Sequence, residues 1–244
     1  MDGLVWQDGQ YLLAPAPAKL NLFLHITGRR RDGMHELQTL FQFLDWRDRL
    51  RFEPLEEQVI ERPAGAPGIA PEQDLVLRAA RLLAARSGHS GGVRVAVDKH
   101  LPIGGGLAVL GAELGADVPV FIGGRAAWAE GVGERLTPVA DIAEPWYLVV
   151  WPKDVHVDTG KAFGDPNLTR HHPLVTIDDF SCGRCDNDFA AVVERRYPDI
   201  ARIREWLERF APTPGRLTGS GACLFAAFGS YEEAAALCAR APEA

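Results

Sequence analysis

Residues 18–27 alternate strictly: Leu20, Leu22, Leu24 and Ile26 fall on one face, and Lys19, Asn21, Phe23 and His25 on the other. A period of two predicts a strand with one buried face and one face carrying polar groups. Upstream, residues 5–14 read as a short hairpin turning at Asp8-Gly9. Residues 28–33, GRRRDG, form a basic turn, and residues 35–46, rich in Leu and Phe, return as a second strand. Residues 49–52 continue the meander before a Pro- and Gly-rich connection at 63–71.

From Asp74 the period becomes helical. Leu75, Leu77, Ala79, Leu82 and Leu83 share a broad face, with Asp74 placed to cap the start and Gly88 to end the helix. Val93, Val95 and Val97 then alternate as a strand, and residues 126–130 and 146–151 read as further strands. A helix follows over 200–210, with Asp199 as its expected cap. Residues 216–218 and 223–228 are strands either side of Gly219-Ser220-Gly221, and residues 231–240 form a last helix. There is no internal repeat and no regular βαβ alternation, so the fold class is α+β. The Pro-bounded segment 138–145 is the expected domain boundary, dividing the chain into 1–143 and 144–244.

The 244 residues suffice for one large domain or two small ones. A net charge of −7 argues against a general nucleic-acid binder, so any bound phosphate must be held locally. No run of about 18 apolar residues exists to span a membrane, and the N-terminus lacks the basic start and apolar stretch of a signal peptide. A cytoplasmic location without membrane partners is therefore expected. Cys182, Cys185, Cys223 and Cys238 are expected as reduced thiols. Cys182 and Cys185 are a C-x-x-C, but no second pair stands at similar spacing to complete a structural zinc site.

The most informative stretch for chemistry is 99–121, KHLPIGGGLAVLGAELGADVPVF. Three glycines after a strand let backbone N–H groups approach an anion, although a plain turn has the same composition. The P-loop is excluded because no Gly-Lys-Ser/Thr follows, and a dinucleotide fingerprint because Val109 stands where glycine is needed. Asp117 sits among Gly115, Ala116, Val118 and Pro119, where a carboxylate is either a helix cap or a reacting group. Lys19 could neutralise charge on a transferring phosphate, or could simply belong to a solvated strand face. Gly219-Ser220-Gly221 suits either a tight connection or a second backbone wall against a ligand.

Taken together, PAKLNLFLHITGRRRDGMHELQTLFQFLD, LPIGGGL, LGADVPVF, AAWAEGVGE and RLTGSGACLF resemble the GHMP small-molecule kinases, and within them the branch acting on a cytidylyl methylerythritol substrate. The match covers nearly the whole chain in order. The resemblance implies a two-domain fold, with an N-terminal domain like domain 2 of ribosomal protein S5 and a ferredoxin-like C-terminal domain. It also implies ATP with Mg²⁺, a small-molecule substrate, and a monomer or homodimer. Phosphoryl transfer would go to the 2-hydroxyl of the methylerythritol unit, a step of non-mevalonate isoprenoid synthesis. The family's catalytic lysine and aspartate fall on Lys19 and Asp117. ATP would meet Pro102, Ile103, Gly104, Gly105, Gly106 and Leu107, with Gly219, Ser220 and Gly221. His35 would read the cytosine edge, Phe163 would stack on its face, and Asn21 and Thr159 would line the diphosphate side. No metal ligand is indicated.

Three departures from the family pattern stand out. Met34 replaces a usual tyrosine, so a thioether would form the second side of the cytosine sandwich. The family loop continues as GGGLGGGSS into a long helix, whereas here Leu107 runs almost directly into Val109-Leu110-Gly111. A true deletion would remove an anion-binding helix N-terminus, so the expectation is that a mobile segment belongs between them. The sequence also stops at Ala244, before the family's usual tail, and the same explanation is expected there. Two alternative readings are another GHMP kinase, acting on homoserine or mevalonate, and a nucleotide-binding regulator without catalysis.

Overall fold

The computed structural model describes residues 6–8, 11–64, 69–88, 90–101 and 118–242. Strand β1 (Trp6–Asp8) pairs antiparallel with β2 (Tyr11–Arg29), placing Asp8 opposite Tyr11; Val5 and Gly9 of the expected hairpin lie outside the described residues. The alternation at 18–27 is thus the middle of a 19-residue strand. Its polar face is not solvated. Lys19, Asn21 and His25 are 3%, 2% and 0% exposed. Within the second unit rings cover this face as well: Phe23 packs on Trp128 and Phe180, and His25 on His172. Buried polar side chains on an interior strand require partners, and that requirement shapes the site.

The basic turn closes through Gly33 N–H to Arg30 O (3.0 Å), with Gly33 at φ +88°. Strand β3 (His35–Leu55) then runs 21 residues without the break expected after Trp46. Strand β4 (Ile60–Glu61), helix α1 (Leu75–Ser87), strand β5 (Gly92–Asp98), helix α2 (Val118–Gly123) and strands β6 (Ala127–Glu130) and β7 (Arg135–Pro138) follow. Then come β8 (Trp146–Val150), α3 (Thr159–Phe163), α4 (Ile177–Ser181), α5 (Ala190–Arg196), α6 (Pro198–Phe210), β9 (Arg216–Leu217), β10 (Leu224–Phe228) and α7 (Tyr231–Cys238). Mixed helices and strands in this order are α+β, as the patterning predicts.

Two compact units emerge, interleaved along the chain. The described part of the first comprises residues up to 19, 43–101 and 118–125; that of the second comprises 20–42 and 126–242. In the first unit the strand order is β1-β2-β3-β5-β4, with β3 antiparallel and β4 parallel to β5. Asp74 caps α1 as expected, accepting from Val76 N (2.9 Å) and Leu77 N (3.4 Å), and Gly88 ends it at φ +65°. Asp48 accepts from His100 N (2.7 Å) and Leu101 N (2.8 Å) and pairs with Lys99, fixing the end of β5's exit.

In the second unit β6 pairs with β3 and β7, and a separate antiparallel sheet runs β8-β10-β9. Its core draws Leu24 and Ile26 of β2 together with Val192, Val193, Ile200, Ile203, Leu207, Leu224 and Leu237. One expected cap is corrected here. Asp199 lies inside the first turn of α6, since Pro198 takes the first helical position and Tyr197 the cap. Proline suits that position because its missing N–H is one the helix leaves unpaired, and Asp199 pairs with Arg202 instead.

Candidate active site

Within the second unit, β2 supplies Asn21. Its backbone N–H donates to Thr218 Oγ1 (2.8 Å), and its Nδ2 donates to Thr39 Oγ1 (3.0 Å). Thr39 in turn donates to Phe23 O, so the carboxamide is oriented by a chain of buried bonds. Thr218 leads into Gly219-Ser220-Gly221, where Gly219 at φ +58° and Gly221 at φ +94° adopt backbone conformations that favour glycine. Ser220 Oγ lies 2.8 Å from Thr159 Oγ1. Thr159 is the first residue of α3, whose N-terminus is capped by Asp158 accepting from Lys161 N (3.0 Å).

Helix α3 ends in Phe163, whose ring stacks on His35 with centroids 4.6 Å apart and 23° between planes. Phe189 meets Phe163 edge to face at 4.8 Å. Arg170 secures this end by donating to Phe163 O (2.6 Å), Asp165 O (2.9 Å) and Leu168 O (3.1 Å). Asp165 itself is drawn down to about 2, first by the Asn167 N–H and then, against desolvation, by Asn167 and Arg196 side chains. Burial, then the charges of Arg170 and Arg29, lower the His35 pKa. A neutral imidazole follows, with one donor and one acceptor nitrogen to offer.

Behind this layer His25 and His172 stack at 3.5 Å with 11° between planes. His172 Nδ1 lies 3.0 Å from Asp188 Oδ1, and Asp186 N–H donates to His25 Nε2 (3.2 Å). Burial and then His172 push His25 down to about 4, against the opposing pull of Asp188 and Asp186.

The expected residues thus form two groups in this unit: Asn21, Thr159, Gly219, Ser220 and Gly221 around the turn, and His35 with Phe163 in a ring stack. Met34 is 50% exposed at the tip of the basic turn, its N–H donating to Asp32 Oδ1 (3.0 Å). Lys19 belongs to the first unit, buried on β2. Pro102, Ile103, Gly104, Gly105, Gly106, Leu107 and Asp117 lie outside the described residues. A cavity of about 590 Å³ in the second unit is lined by Leu22, Tyr147, Phe180, Arg216 and Phe225, and by none of the expected site residues. Thr39, Arg170, Asn187 and Thr218 were not among the expected residues; only Thr39, a polar residue among apolar neighbours in LQTLF, carried a signal in the sequence.

Comparison with known proteins is decisive. The chain is 48% identical over 258 aligned positions to the 4-diphosphocytidyl-2-C-methyl-D-erythritol kinase of Nitrosococcus oceani, covering 95% of this chain and 91% of that protein. The chain belongs to the 4-diphosphocytidyl-2-C-methyl-D-erythritol kinase family. Residues 171–244 match the GHMP kinases C terminal family. A crystal structure of 4-(cytidine 5'-diphospho)-2C-methyl-D-erythritol kinase superposes with a TM-score of 0.77 at 29% identity, covering 94% of this chain and 96% of that one. The Methanococcus jannaschii mevalonate kinase shares the fold at TM-score 0.60 and 14% identity, over 96% and 95% of the two chains. The fold is therefore the GHMP kinase fold, and the chain is an ATP-dependent small-molecule kinase. The 258 aligned positions exceed the 244 residues of this chain, so the Nitrosococcus protein carries residues that this sequence lacks.

Proposed function

We propose that the chain transfers the γ-phosphoryl group of ATP to the 2-hydroxyl of 4-diphosphocytidyl-2-C-methyl-D-erythritol, yielding the 2-phosphate and ADP. The observation that carries this reading is the 48% identity to a kinase named for that substrate, sustained over 95% of the chain. The site in the second unit supports it. A neutral His35 beside the ring of Phe163 offers what recognition of one base requires, a hydrogen-bonding edge and an aromatic plane.

Asp117 is assigned to accept or orient the hydroxyl proton as the hydroxyl oxygen attacks the γ-phosphorus and the bond to the ADP oxygen breaks. Lys19 is assigned to keep Asp117 ionised and to stabilise charge on the transferring group. Such transition states are loose, so most of the acceleration comes from positioning and electrostatics. Asn21 and Thr159 are assigned to the diphosphate side and Met34 to the far side of the base, while Gly219, Ser220 and Gly221 are assigned to ATP, as are Pro102, Ile103, Gly104, Gly105, Gly106 and Leu107. Mg²⁺ accompanies ATP in this proposal, where it would neutralise phosphate charge. Among the described residues no group of three His, Cys, Asp or Glu could hold a metal ion. The steps above belong to the chain's own side chains.

The two kinase domains divide the sequence at residues 143 and 144, the enzyme works as a monomer or homodimer, and it acts in the cytoplasm. No helix among the described residues is long and apolar enough to cross a membrane. The test is incubation with ATP, Mg²⁺ and the cytidylyl substrate, expecting ADP and a phosphorylated product in equal amounts. Turnover of homoserine or mevalonate in preference to the cytidylyl compound would reassign the substrate.

A further inference from the structure

Asn187 is 5% exposed, on the segment between α4 and α5. This segment is fastened to β2: Leu24 N–H donates to Asp186 O (3.0 Å), Asp188 N–H donates to Leu24 O (2.9 Å), and Leu24 and Asn187 form a parallel bridge. The carboxamide reaches from this fixed backbone to the glycine turn. Its Nδ2 donates to Leu217 O (2.9 Å) and to Gly219 O (2.9 Å), while its Oδ1 accepts from Phe189 N–H (2.9 Å).

Those two carbonyls flank Thr218, the residue whose Oγ1 accepts the backbone N–H of Asn21 at 2.8 Å. Gly219 begins the turn that sets Ser220 against Thr159. A turn with positive φ at both glycines has many competing shapes available to it. One primary amide, holding the carbonyl before Thr218 and the carbonyl after it, removes most of that freedom. A carboxamide of this length supplies two donors and one acceptor from the same rigid plane, and no other side chain does so at this reach.

We propose that Asn187 is a positioning residue for phosphoryl transfer: it holds the Thr218–Gly221 turn in the shape that presents Ser220 and the adjoining N–H groups to the reacting phosphate. The proposal rests on the kinase reading above. Asn187 touches no reacting atom and acts through the turn. Its neighbour Phe189 N–H keeps the amide oriented, so that both N–H donors face the turn and the oxygen faces away.

The test compares Asn187→Ala and Asn187→Asp with a core control, Leu237→Ala, which removes packing on α7, an element that carries none of the site residues. Asn187→Asp keeps the acceptor for Phe189 and the side-chain volume while losing both donors, so it carries the test where Asn187→Ala fails to fold. Both Asn187 variants should lose about tenfold or more in kcat per folded enzyme, since small misplacements of reacting groups have effects of this size. The KM for the cytidylyl substrate should rise by a smaller factor than kcat falls, because the His35–Phe163 stack assigned to the base does not include the turn, although Asn21 and Thr159 adjoin it. Amide hydrogen exchange provides a readout independent of activity. The N–H groups of Asn21 and Gly221, which bond Thr218, should exchange at least about tenfold faster in both variants. Leu237→Ala should retain kcat. A kcat within twofold of the unaltered chain, a loss equalled by Leu237→Ala, or unchanged exchange at the turn would overturn the proposal. Absence of turnover in the unaltered chain would instead refute the kinase reading, and the exchange rates would still decide whether Asn187 holds the turn.

Discussion

Phe163 lies with its ring over the imidazole of His35, centroids 4.6 Å apart. One face of Phe163 is thus covered by the residue expected to read the base's edge. A cytosine taking that face must part the two rings, giving up a contact of about 0.5–1.5 kcal/mol before its own stacking begins.

Phe163→Ala should accordingly raise the KM for the cytidylyl substrate, by an amount corresponding to about 1–3 kcal/mol of stacking, with kcat much less affected. Steady-state kinetics with ATP saturating gives the answer. An unchanged KM removes Phe163 from base recognition.

His35 makes the affinity pH-dependent in a defined direction. Its pKa lies below the ordinary imidazole value because of burial, then Arg170 and Arg29, so the neutral form that can both donate and accept persists below pH 6.5. The KM for the cytidylyl substrate should stay flat down through that pH and rise only at lower pH. Arg29→Gln removes one of the two depressing charges on an exposed side chain and should move the rise to higher pH. A profile unmoved by Arg29→Gln would show that its charge does not reach the imidazole.

Much of this architecture was legible because period-2 and period-3.6 patterns report burial directly: the strand at 18–27, the helix from Leu75 and the strands around Gly219-Ser220-Gly221 all stand where patterning puts them. What the pattern could not report was the second buried face of β2. Lys19, Asn21 and His25 alternate with leucines as a solvated face would, yet all three are buried, and within the second unit the cover of Phe23 and His25 comes from elements more than a hundred residues away, Trp128, His172 and Phe180. Short helices were missed for a related reason. At five residues α3 and α4 are set by their caps, Asp158 and Thr176, rather than by an apolar stripe. Asn187 was invisible because its meaning is a pair of carbonyls thirty residues further on.

Asp48 illustrates another long-range role. Burial raises its pKa, but the Lys99 side chain and the N–H groups of Leu101 and His100 outweigh that and leave it lowered. Ionised Asp48 therefore fastens residues 99–101, which lead directly into the glycine segment. Asp48→Asn keeps an acceptor but sets an amide against the Lys99 ammonium. It should reduce stability by about 1–3 kcal/mol and raise the KM for ATP, read by thermal unfolding and by kinetics. Stability loss with an unaltered ATP KM would confine Asp48 to folding.

The buried imidazole of His25 makes the second unit sensitive to acid. His25 has a folded pKa of about 4 against 6.5 when unfolded, so between those values the unfolded chain binds more protons. The stability this group confers is complete above pH 6.5 and is lost progressively towards pH 4, by at most roughly 3 kcal/mol. Melting temperatures measured across that interval should fall in the unaltered chain. His25→Gln, which does not titrate, should flatten the slope whatever its effect at neutral pH. An equal slope in both proteins would place the acid sensitivity elsewhere.

Lys19 and Asp117 are the assigned catalytic pair, and their variants should differ in kind. Asp117→Asn removes the group that takes or orients the hydroxyl proton but adds no bulk, so turnover should be abolished while substrate binding, measured by calorimetry, stays nearly intact. Lys19 is buried on β2, where Lys19→Met preserves most of the stem and deletes the charge. If the ammonium acts in the transition state, kcat and kcat/KM should fall together. If its larger task is to keep Asp117 ionised, the loss should be partly recovered as pH rises, because an unassisted carboxylate regains its charge at higher pH. A Lys19→Met variant whose deficit is constant from pH 6 to 9 assigns the lysine to transition-state charge, and one that recovers assigns it to the aspartate. Retained turnover in Asp117→Asn removes Asp117 from the mechanism and leaves positioning and the lysine's charge to account for the rate.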